Sequence, residues 1–102
     1  MLMVVAVLSV RRDARDDFER FERAAAAVLR RHGGTIERTV RVPPSAGAEI
    51  ESEIHLVAFP DAQRFAAYRA DPELAGLADL RARAIAATTI YIGEPGPDYG
   101  AD

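Results

Sequence analysis

The chain contains no cysteine, no tryptophan and no lysine. Without cysteine there is no disulfide scaffold, no thiolate metal site, no iron–sulfur cluster and no cysteine nucleophile. Without lysine, all thirteen basic residues are arginine, and alanine makes up about a fifth of the chain. A GC-rich coding bias accounts for both, so no arginine gains weight merely for being arginine. Seven glycines and six prolines are too few for a low-complexity chain. The net charge is −3. Binding nucleic acid takes a basic surface, so that partner is not expected. The one long apolar run, Met1–Val10, is followed by Arg11 and Arg12 rather than preceded by basic residues. It is too short to span a bilayer and is built backwards for a secretory signal. The expectation is a cytoplasmic protein with no membrane partner. There is no glycine-rich phosphate loop, no paired-histidine metal spacing and no Gly-x-Ser-x-Gly elbow, so neither metal nor cofactor is expected.

What remains is a chain of 102 residues, 49% apolar and 28% charged. That is the balance of one soluble domain with a single modest core. Leu2–Val10 is apolar with hardly a break, which suits a strand covered on both faces at the centre of a sheet. From Asp13 to Arg31, Phe18, Phe21, Ala25, Val28 and Leu29 recur at steps of three and four, the stripe of an amphipathic helix. Acidic residues open this helix and Arg30 and Arg31 close it, as the helix dipole favours. Asp16–Arg20 and Glu19–Arg23 are spaced to pair along it. His32 complements the same dipole, and one glycine of Gly33–Gly34 is expected to cap the helix in the left-handed conformation.

Thr35–Val42 and Glu49–Phe59 read as two strands joined by a turn over residues 43–48. A short helix follows Pro60–Asp61. Asp71–Pro72–Glu73 then starts another that continues through Leu74, Leu77, Ala78, Arg81, Ala84 and Ile85. Thr88–Ile92 is a last strand, and residues 95–102 form a flexible tail beyond a domain of residues 1–94. The order β-α-β-β-α-β predicts an α+β, ferredoxin-like fold: a four-stranded antiparallel sheet with two helical regions on one face. The other face is left bare, and Met3, Val5, Val7, Val57, Phe59 and Tyr91 are assigned to it. At about 25 cal/mol per Å², hiding such a face is worth several kcal/mol. A second copy of the chain, packed sheet to sheet, is the simplest cover.

One stretch carries a family resemblance. Phe59–Pro60 forms a corner after a strand, Phe65 and Tyr68 lie on the short helix, and Asp71–Pro72 breaks it. Leu80–Arg81 sits on the next helix and Ile90–Gly93 closes the last strand. These features resemble the dimeric α+β barrel superfamily, and most of all its small bacterial domain of unknown function 1330 proteins. The resemblance is strong over residues 55–94 and extends to the N-terminal half in element order. It implies a homodimer with a small pocket between sheet and helices in each protomer. The superfamily includes cofactor-free monooxygenases, cyclases and isomerases as well as haem enzymes, so fold alone selects no activity.

Among single residues, His55 stands out. It shares a strand face with Glu53, and an imidazole held by a carboxylate can act as a general base. Tyr91, if on the same face, adds a phenol, so His55 and Tyr91 are the candidate catalytic pair. Arg38, in phase with Ile36, Val40 and Val42, is expected on the helix side. With Arg81, Tyr68 and Glu53 it makes a candidate binding set for an anionic or phenolic ligand. The competing reading makes His55 and Glu53 hydrogen-bonded interface residues of a purely structural dimer.

Overall fold

A computed structural model of the protein describes residues 1–44 and 50–100. The strands are β1 (Leu2–Val10), β2 (Thr35–Val42), β3 (Glu51–Phe59) and β4 (Ile85–Gly93). The helices are α1 (Arg15–Arg31), α2 (Ala62–Arg69), α3 (Pro72–Ala75) and α4 (Ala78–Ala84). Part of the expected turn over residues 43–48, and Glu49 at the expected start of the third strand, lie outside the described residues.

The sheet order is β2-β3-β1-β4 with every neighbouring pair antiparallel. This is the ferredoxin-like α+β arrangement, with the apolar β1 at the centre between β3 and β4. The slab measures 40 × 39 × 17 Å, as befits one helical layer on one sheet. Residues 94–100 follow β4 without helix or strand.

The stripe of α1 is buried at all five expected positions: Phe18, Phe21, Ala25, Val28 and Leu29. Large apolar side chains of this kind contribute about 1.5–3 kcal/mol each on full burial. Along its exposed side Arg20 pairs with Asp17 at 3.4 Å, one residue nearer than the expected Asp16. The helix stops in a two-bond cap. The Gly33 amide donates to the Arg30 carbonyl and the Gly34 amide to the Leu29 carbonyl, each at 3.0 Å. Gly33 takes φ +81°, the left-handed conformation the cap requires. His32, the C-cap residue, reaches beyond the dipole: its Nε2 lies 2.8 Å from Asp71 Oδ2. The Asp71 Oδ1 meanwhile accepts the Glu73 amide at 2.8 Å and starts α3, with Pro72 in the first turn as expected. One aspartate thus ties the end of α1 to the α2–α3 junction.

The core falls into two clusters. One gathers Leu8, Val10, Phe18, Phe21, Ala25, Ala84 and Ile85. The other gathers Val4, Leu29, Val57, Phe59 and Phe65.

Register settles which residue takes which face. Val4 stands opposite Val57, and Val5 opposite Leu56. The even residues of β1 and the odd residues of β3 therefore share the helix side, which corrects two expectations. Val57 and Phe59 are not on the bare face; they are core under α1 and α2. The bare face instead carries Met3, Val5 and Val7 of β1 beside Ala58, Leu56 and Ile54 of β3. Val40 joins them from β2 and Tyr91 from β4.

A third correction concerns Arg38. Ile36 pairs with Val57 and Arg38 with Leu56, so Glu37 is an extra residue in β2. Such a bulge reverses the alternation beyond it. Ile36 faces the helices, whereas Arg38, Val40 and Val42 face away. Last, β4 starts at Ile85, three residues before the expected strand. Ile85 pairs with Val10 next to a register shift and is buried as a strand residue.

Candidate functional site

Between the sheet and the helices lies a cleft of about 300 Å³. Its walls take apolar residues from both core clusters: Val4, Leu8, Val57 and Phe59 from the sheet, Phe21, Leu29 and Phe65 from the helices. Phe59 is the pivot of the aromatic wall. Its ring centroid lies 5.2 Å from that of Phe65 and 5.7 Å from that of Tyr68. Asp61 caps α2 by accepting the Arg64 amide at 2.8 Å, which aims Phe65 and Tyr68 inward.

The polar lining converges from four elements: Glu22 on α1, His55 on β3, Tyr68 and Arg69 on α2, Arg81 on α4. Arg81 also donates to the Thr88 hydroxyl of β4. His55 is only 6% exposed, with a carboxylate beside each ring nitrogen. Its Nε2 lies 2.9 Å from Glu53 Oε1, and its Nδ1 lies 3.5 Å from Glu22 Oε2. Glu53 stands behind His55, off the cleft, where Arg15 at 3.4 Å and Arg41 at 3.7 Å neutralise it. Arg15 also pairs with Glu51. The chain Glu53–His55–Glu22 therefore runs from a charge-compensated back wall to the cleft.

Burial raises the pKa of the Glu22 carboxyl. The charges of His55 and Arg81 oppose the shift and that of Glu53 adds to it. Burial likewise raises the Tyr68 phenol, aided by the charge of Glu22 and opposed by Arg81 and Arg69. Among the described residues no buried side-chain polar atom lacks a partner, and no cluster of His, Asp and Glu is arranged to hold a metal.

Of the residues singled out in the sequence, His55, Tyr68 and Arg81 meet at the cleft, with Glu53 in support. Tyr91 and Arg38 do not. Tyr91 pairs with Val5 on the bare face and is 62% exposed. Arg38 is turned to that face by the bulge at Glu37. The sequence reading missed Glu22. Its signal was present: Glu22 follows Phe18 by four residues and precedes Ala25 by three, so it rides the edge of the buried stripe. A second hollow, of about 370 Å³, is bordered by Arg11, Arg12, Asp13, Arg15 and Glu51. Its rim is charged and it lacks an aromatic wall.

Residues 4–94 match the model of one protein family, Domain of unknown function (DUF1330). The chain belongs to this family. No curated protein shows a significant match. Among solved structures, this DUF1330 protein is similar to SnoaB, a cofactor-independent oxygenase from Streptomyces nogalater. The TM-score is 0.68 at 15% identity over 97% of this chain and 96% of that one. A putative antibiotic biosynthesis monooxygenase from Nitrosomonas europaea gives 0.69 at 19% identity over 93% and 98%. A dimeric protein of unknown function with a ferredoxin-like fold, from Bacteroides fragilis, gives 0.62 at 13% over 91% and 94%. Identities this low show a shared fold and nothing finer.

Proposed function

We propose that the protein is a homodimer, joined through its bare sheet faces, that binds a small apolar or aromatic molecule in the cleft of each protomer. The carrying observation is the cleft itself: about 300 Å³, aromatic and aliphatic on its walls, with its polar groups converging from separate elements. Small-molecule sites are built in this way, apolar for affinity and polar at a few points for orientation. The half-buried aliphatic face of β1 and β3 is the reason to expect a second copy. The Bacteroides fragilis protein is dimeric on the same fold. A cytoplasmic location agrees with this reading, and no helix of the described residues is long and apolar enough to cross a membrane.

A second reading is enzymatic: cofactor-free oxygenation, cyclisation or isomerisation of a phenolic or keto substrate. The Glu53–His55–Glu22 chain favours it, because a linked set of titratable groups opening on an apolar cleft is what proton transfer needs. Two similar structures bear oxygenase names.

A thermal-shift screen with small quinols, phenols and keto acids tests the cleft. A ligand at a hundred times its dissociation constant stabilises the folded form by about 2.7 kcal/mol, and replacing Arg81 should erase that gain. If no compound stabilises the protein, the cleft is structural and the protein is a non-catalytic dimeric module. A solution mass of one chain overturns the dimer.

A further inference from the structure

Resting on the ligand cleft just proposed, we infer that Glu22 takes the proton of an acidic ligand hydroxyl, a phenol or an enol. Arg81 receives the oxyanion so formed, and His55, braced by Glu53, positions the Glu22 carboxylate.

His55 also lines the cleft and is the obvious base, but both its ring nitrogens lie against carboxylates. Nε2 is committed to Glu53 at 2.9 Å and Nδ1 faces Glu22 at 3.5 Å, and the ring is buried. Of those two carboxylates a ligand in the cleft meets Glu22, which lines the cavity while Glu53 does not. Among the described residues Glu22 has one ion-pair contact, to His55, and the side chain keeps 21% exposure. The carboxylate therefore has acceptor capacity left for a guest.

The charges also fit. Arg81 lines the same cavity, and its field reaches both Glu22 and Tyr68. When the ligand O–H bond breaks, its electron pair stays on the ligand oxygen and the proton forms a new O–H bond on Glu22. The negative charge moves from Glu22 to the ligand without changing the net charge of the cleft. No isolated ion is created in a dry site, which is the costly event to avoid. The aromatic wall of Phe59, Phe65 and Tyr68 matches an unsaturated ring or chain beside that hydroxyl. Arg69 also borders the cavity, so five titratable or charged groups face the guest: Glu22, His55, Tyr68, Arg69 and Arg81.

The test uses 4-nitrophenol, whose phenolate absorbs visible light. Bound to the intact protein, it should ionise about one to two pH units below its value in water, as an adjacent arginine demands. The infrared difference spectrum on binding should gain the carbonyl stretch of a newly protonated carboxyl group. Glu22→Gln keeps the shape and cannot take the proton. It should lose the carboxyl band and most of the optical shift, and bind the dye at least about ten-fold more weakly. Arg81→Met should lose the optical shift as well.

If Glu22→Gln binds and ionises the dye as the parent does, or if the parent shows no carboxyl band, the assignment to Glu22 is overturned while the cleft reading stands. If the parent binds keto acids but no phenol, the acidic-hydroxyl class is overturned alone. If nothing in the screen binds, both fall together. Should Glu22→Gln fail to fold by circular dichroism, the infrared band of the parent decides.

Discussion

Glu22 and Asp71 are both carboxylates near the helices, yet their environments push them in opposite directions. The Asp71 carboxyl is held below the usual range, first by its bond with His32 and then by the Glu73 amide. Its stabilising contribution is present above the unfolded value near about 3.9 and is lost as pH falls through the lower folded value. Glu22 is raised by burial. Its contribution is most favourable below the unfolded value near about 4.3 and is lost as pH rises through the higher folded value. Glu22→Gln should therefore gain stability over the parent as pH increases from acid to neutral, and Asp71→Asn should lose its deficit in acid. Urea melts at a series of pH values read both. Gly34 supplies a third residue-scale outcome. A Cβ there would lie 2.5 Å from the Leu29 side chain and 2.9 Å from the Phe59 ring. Gly34→Ala should cost about 1–3 kcal/mol by overpacking, measured by the same melts. The role of Gly33 was legible in sequence because helix ends have a glycine grammar. The His32–Asp71 bond was not, because residues 39 apart in the chain meet only through the fold.

At the scale of elements, amphipathic period made α1 readable to its last buried residue, and apolar continuity placed β1 at the centre. The bulge in β2 escaped because TIERTVRV alternates too weakly to reveal one supernumerary residue. That single residue decided whether Arg38 could reach the cleft. The α4–β4 join escaped for a related reason. Ala84 and Ile85 are both buried, and helical spacing alone carried the helix one residue too far. Faces of β3 were misassigned because both are apolar enough to be core, so only pairing with Val4 and Val5 could choose. The eight-residue α2 owes much to its cap. Asp61→Ala should cost about 1 kcal/mol. It should also weaken any aromatic ligand, since Phe65 and Tyr68 ride on that helix; isothermal titration before and after the change measures this.

For the molecule as a whole, the fold order was readable and the covering of the bare face is the matter to test. Leu56 sits on the interior strand β3 of that face, opposite Val5 on one side and Arg38 on the other. Leu56→Glu should leave the circular dichroism spectrum intact and reduce the mass by light scattering from two chains to one. A charge in a dry interface between sheets is not tolerated. In β1, Ala6 looks into the cleft while Val5 and Val7 look out from the reverse. In the proposed dimer, a single ply of backbone serves as floor to one compartment and as handshake surface for a twin. The guest uptake and the pairing proposed above share that partition, and any coupling between them is reciprocal: if diluting the protein loosens its hold on the guest, saturating it with guest tightens the pair by the same factor.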